Sequence, residues 1–84
     1  MARLHKYESV SGEELRRLRN LKGFKQETVA IKLGISRQAY SKTELRHNVN
    51  IQRAIQVLAI LDCTLNDLEN LRAFLPLNVH HQPQ

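Results

Sequence analysis

The sequence predicts a small all-α domain, and three features predict it. Capping residues followed by apolar positions at helical spacing recur along the chain. Two of its three glycines, Gly23 and Gly34, stand just behind such stretches, where helices stop. No segment alternates apolar and polar residues as a half-buried strand would.

The elements follow in order. Residues 1–10 are mixed and aperiodic and read as an N-terminal arm. Ser11-Gly12-Glu13-Glu14 has the Ser-x-x-Glu form of a capping box, in which Ser11 and Glu14 each satisfy a free backbone N–H. Leu15, Leu18 and Leu21 then recur at three-residue spacing with Arg16, Arg17 and Arg19 between them, an amphipathic helix closed by Gly23. A second helix is expected over Gln26–Leu33, with Val29, Ala30 and Leu33 apolar and Gly34 at its end. Ser36 is a good N-cap for a third, from Arg37 to about Leu45. After the polar link 46–50, with Asn50 as cap, Ile51–Leu61 is apolar around most of its girth and is expected at the centre of the fold. Thr64-Leu65-Asn66-Asp67 resembles a further capping box and opens a fifth helix through Leu68 and Leu71. The domain is expected over residues 11–72. Residues 73–84, holding Pro76 and Pro83, are expected to form an extended tail.

Composition narrows the function. Residues 1–50 carry 11 Lys and Arg against 5 Asp and Glu, a surplus of six positive charges; residues 51–84 carry 2 against 3. Cationic excess on one part of a small domain attracts a polyanion through counterion release, although RNA or an anionic membrane surface would be served equally. No apolar run is long enough to span a bilayer, and none stands behind the N-terminus as in a signal peptide. The lone Cys63 lies in an apolar run and reads as a small buried hydrophobe, which suits a reducing, cytoplasmic setting. His5, His47, His80 and His81 do not stand at metal-ligand spacing, and no nucleophile with its base, carboxylate pair or phosphate-binding glycine loop is present. No metal, cofactor or catalytic activity is expected.

The informative segment is Gln26–Glu44. Two helices of eight or nine residues are joined by Gly34-Ile35-Ser36 alone, which forces a steep crossing. Gly34 suits a turn that needs a positive φ, and Ala30 lets the next helix approach closely. Ile35 and Tyr40 can pack inward with Val29 and Leu33, which leaves Arg37, Gln38, Ser41 and Lys42 on the outer face. Arg pairs with guanine and Gln with adenine through two hydrogen bonds each in a major groove, and Lys or Ser reaches bases or phosphates. Gln26 opens the second helix, where its amide and the helix N–H groups can meet a phosphate.

These residues resemble the phage repressor and Cro family of helix-turn-helix domains, the XRE family. The resemblance covers residues 12–71, 60 of the 84. It is carried by Leu15-Arg16-Arg17-Leu18-Arg19, Gly23-Phe24-Lys25-Gln26, Val29-Ala30, Leu33-Gly34-Ile35-Ser36, Ser41-Lys42-Thr43-Glu44 and the stretch from Leu61 to Leu68. It implies a five-helix, lambda-repressor-like domain that binds double-stranded DNA as a transcriptional regulator, a repressor in the first instance. Gln26 would clamp a phosphate and brace the third helix, while Arg37, Gln38 and Lys42, with Ser41 behind them, would read bases or phosphates. Arg19 and Glu44 hold positions that form an ion pair between the first and third helices. Arg46 and Asn48 would lie along the DNA backbone from the loop. The chain departs from the family there: Arg46 replaces a glycine, the loop has no proline, Lys25 replaces a Ser or Thr, and Thr43 stands for a larger apolar residue.

Members of the family bind palindromes as homodimers, with half-sites ~34 Å apart. Leu71, Phe74, Leu75 and Leu77 are the candidate dimer surface, unless Phe74 and Leu75 fold back on their own monomer. The same chain would also serve as an antitoxin that holds a protein toxin, or as the control protein of a restriction–modification system. A protein-interaction module that kept the fold and lost DNA binding is a third alternative, against which the basic first half and Arg37, Gln38 and Lys42 stand.

Overall fold

The structure, a computed structural model, describes residues 9–81, and of residues 74–81 the backbone alone. Five helices follow one another: α1 (Gly12–Lys22), α2 (Gln26–Leu33), α3 (Arg37–Glu44), α4 (Ile51–Ile60) and α5 (Leu65–His81).

Their starts are written locally. Ser11 and Glu14 form the reciprocal capping box at α1, with Glu14 N–H donating to Ser11 Oγ (3.1 Å) and Ser11 N–H to Glu14 Oε1 (3.0 Å). Ser36 Oγ accepts from Ala39 N–H (3.0 Å), and Asn50 Oδ1 accepts from the N–H groups of Gln52 (2.8 Å) and Arg53 (3.3 Å). Thr64 and Asp67 repeat the box at α5. Only α2 lacks such a cap among the described residues: its N-cap, Lys25, makes no side-chain hydrogen bond. At the other end of α4 no glycine is available, and Asp62 turns the chain with φ 59°, a conformation that the short polar side chain of Asp tolerates.

The core gathers Leu15 and Leu18 from α1, Val29 and Ala30 from α2, and Tyr40 from α3. To these α4 and its cap add Ala54, Val57, Leu58 and Leu61, and α5 adds Leu68. Two buried valines come from outside the helices. Val10 and Val49 meet as an isolated antiparallel bridge, with Val49 N–H donating to Val10 C=O (2.7 Å).

Four expectations are corrected. Leu21 is not on the buried stripe of α1 but 73% exposed. Three-residue steps turn 300° each, so a third leucine has drifted well round from the first, and Arg19 takes the inward place instead. α4 is buried along one face only: Ile55 is 55% exposed and Ile51 is also on the surface, because no further helix covers that side among the described residues. Ser9 and Val10 do not belong to a loose arm, since Val10 is core; residues 1–8 lie outside the described residues. The segment after residue 73 is not extended, because α5 runs across Pro76 to His81. The proline removes one hydrogen bond from the ladder, but its neighbours Leu71, Arg72 and Ala73 are strong helix formers that carry the turn. Pro83 lies outside the described residues.

Candidate nucleic-acid interface

The unit α2–turn–α3 turns on Gly34, whose φ of 77° closes α2 while Ile35 N–H reaches back to Ala30 C=O (3.0 Å). Ile35 and Leu33 are half-buried against the core, and Val29, Ala30 and Tyr40 are fully buried. With Tyr40 and Glu44, one turn apart, pointing inward, α3 presents Arg37, Gln38 and Lys42 to solvent. Ser41 is half-buried at the edge of that face. No carboxylate stands among these four side chains.

A buried polar network fixes α3 from behind. Arg19 grips the Glu44 carboxylate with both arms of its guanidinium, Nε to Oε2 at 2.6 Å and Nη2 to Oε1 at 3.1 Å. Its third nitrogen donates to Phe24 C=O (2.8 Å). Gln26 Nε2 adds a further bond to Glu44 Oε1 (2.9 Å), and Gln26 Oε1 faces Arg37 Nη1 at 3.5 Å. The network therefore reaches from α1 through α3 and α2 to the outer face. Burial pushes the Glu44 carboxyl up, but the donors from Arg19 and Gln26 outweigh it and hold it below the usual range. The Tyr40 hydroxyl sits buried beside this pair with no hydrogen-bond partner among the described residues, and burial raises its pKa, helped by the adjacent Glu44 carboxylate.

Arg46 and Asn48 are exposed on the α3–α4 link. The link turns without a glycine, because Arg46 needs no left-handed backbone: among the described residues only Asp62, Gly23 and Gly34 have positive φ. Arg46 lines a shallow groove of about 250 Å³ with Thr43, Val49, Asn50 and Arg53. Arg53 was not singled out in the sequence, although a cation in the first turn of a helix whose cap ends this link was a usable signal. Neither arginine has a carboxylate partner among the described residues.

Leu71, the first dimer candidate, is half-buried against the core and lines a second groove, of about 450 Å³, with Arg16, Arg17, Asn20 and Leu21. The side chains of Phe74, Leu75 and Leu77 lie outside the described residues. Cys63 is half-buried against the core, and burial raises its thiol pKa. Among the described residues there is no cluster of metal ligands, and no helix is long and apolar enough to cross a membrane.

Two short helices joined by a three-residue turn, the second braced from behind and polar in front, define a helix-turn-helix protein. A family model described as "Helix-turn-helix" matches residues 15–68, and the chain belongs to that family of DNA-binding domains. A protein of Methanocella arvoryzae named "Putative HTH-type transcriptional regulatory protein" is 37% identical over 59 residues. The match takes in 70% of this chain but 18% of that relative, so the chain spans less than a fifth of the relative's length. No solved structure gives a significant match to the chain.

Proposed function

We propose that the protein is a sequence-specific regulator of transcription that lays α3 in the major groove of double-stranded DNA and represses by occupying its operator. The observation that carries this reading is the outer face of α3, where Arg37, Gln38 and Lys42 have no carboxylate partner among the described residues, on a helix braced by the Arg19–Glu44–Gln26 network. Arg37 suits a guanine and Gln38 an adenine; Lys42 and Ser41 reach bases or phosphates. The uncapped N–H groups of α2 beside Gln26 suit a backbone phosphate, and Arg46, Asn48 and Arg53 suit the next along the strand. A lone domain of this size covers one half-site, so a homodimer on a palindrome, paired through Leu71, Phe74, Leu75 and Leu77, completes the reading.

The test is fluorescence anisotropy of the purified chain on DNA from its own upstream region, against a scrambled duplex, at several salt concentrations. Binding to the upstream duplex ~10³-fold tighter than to the scramble, falling steeply with salt, is the expected result. No binding to either duplex at low salt overturns the proposal. Sedimentation of the protein with and without the duplex reports whether two copies occupy it.

A further inference from the structure

The link 46–50 carries neither glycine nor proline, yet it holds one shape. That shape is supplied by another part of the chain. Residues 9–12 run alongside the link and bond it three times: Gly12 N–H donates to Arg46 C=O (2.8 Å), Val49 N–H to Val10 C=O (2.7 Å), and the Ser9 hydroxyl to Asn48 Oδ1 (2.5 Å). Two of the three residues so held on the link, Arg46 and Asn48, are those proposed above to meet the DNA backbone.

A single antiparallel rung is marginal on its own. What fastens these residues is a side chain from α5. Arg72 grips the Glu14 carboxylate with two bonds, Nε to Oε2 at 2.6 Å and Nη2 to Oε1 at 3.1 Å. Its Nη2 also donates to Ser9 C=O (2.7 Å), across 63 positions of sequence. Glu14 is fixed in turn by the Ser11 N–H of its capping box. A planar guanidinium held on both oxygens of an anchored carboxylate has little freedom left, so the Ser9 carbonyl is held where it points.

We propose that Arg72 is a positioning residue for DNA binding: through Ser9–Gly12 it sets Arg46 and Asn48 against the phosphate backbone. This rests on the DNA-binding reading and adds to it that α5, which touches no DNA in that reading, governs how well the link does.

The test separates position from charge. Glu14→Gln keeps the capping box, for which Gln serves as well as Glu, but removes the anchor of Arg72. It also makes the chain more positive by one charge, so an effect of charge alone would tighten binding to DNA. The probe is a fluorescein-labelled duplex of mixed sequence, titrated with the full chain over a salt series. Glu14→Gln and Arg72→Ala are each expected to weaken binding about five-fold and to flatten the salt dependence by about one phosphate contact. Arg72→Lys, which keeps the charge with a single donor group, is expected to restore part of the loss and serves where Glu14→Gln does not fold. Amide exchange at Val49 is expected to quicken in Glu14→Gln, while amides within α4 keep their protection. Glu14→Gln binding as tightly as wild type, or tighter, with the same salt dependence overturns the positioning role alone. Unchanged exchange at Val49 does the same. Wild type that binds no duplex at low salt overturns the DNA-binding reading, and the positioning role with it.

Discussion

Gly12 occupies a place where a single methyl group has nowhere to go. A Cβ there would overlap the carbonyl oxygen of Thr43 and the carbonyl group of Glu44, both backbone and so unable to swing aside. Gly12→Ala is expected to cost about 3 kcal/mol, the upper part of the overpacking range, and a urea melt at constant m-value measures it. Nothing in the sequence marked this glycine, which fell in the free position of a capping box, because the contact that demands it lies over thirty residues away. Arg19 and Glu44 differ: their pairing, and Gln26 as a brace of the third helix, were legible through the family resemblance, while the bond from Arg19 to the Phe24 carbonyl was not. Arg19→Ala leaves a carboxylate that is almost wholly buried without its counter-ion, and a loss of about 3 kcal/mol is expected. Replacing both partners, as Arg19→Met with Glu44→Leu, is expected to cost less than Arg19→Ala alone, since no charge is then stranded. Thermal melts of the three proteins decide it.

The elements were the most legible level, for a physical reason. Caps, stops and periodicity act within a few residues, so Ser11, Gly34, Ser36, Asn50 and Thr64 announce their helices without help from the fold. The Val10–Val49 rung has no such local signature, because one residue pair cannot show alternation. Pro76 misled in the opposite direction, as a residue that weakens a helix without being bound to end it. Leu21 and Ile55 show a further limit: spacing marks an apolar residue as a core candidate, but the neighbouring helices decide which side is covered. For α3 as a unit, Arg37→Ala and Gln38→Ala are expected to reduce discrimination between the operator and single-base variants by about 1–3 kcal/mol each. Lys42→Ala, if Lys42 takes a phosphate, is expected to weaken all duplexes alike and lower the salt slope by about one. Anisotropy on a panel of single-base variants separates the two patterns.

At the scale of the whole molecule, two carboxylates tie the helices together, Glu14 joining α1 to α5 and Glu44 joining α1, α2 and α3. For both, burial raises the pKa but the hydrogen bonds prevail, chiefly from Arg72 and Ser11 for Glu14 and from Arg19 for Glu44. Both therefore titrate in the folded protein below their ordinary value of 4.5. A carboxylate lowered by folding contributes stability that is complete above its unfolded pKa and disappears as pH falls through the folded one. The melting temperature is expected to hold level from neutral pH down to about 5 and then to fall. Glu14→Gln is expected to start lower at neutral pH and to lose less on acidification. A melting temperature that declines equally in both proteins would remove Glu14 from the account.

Ser9, the first described residue, lies within hydrogen-bonding reach of Asn48. Anything spliced on in place of residues 1–8, whether an affinity handle, a fluorescent reporter or another domain, would begin its path at the rim proposed to face the double helix. For preparing the protein, the attachment point is thus a biochemical variable: a cationic handle at the front would counterfeit affinity and a bulky one would mask it.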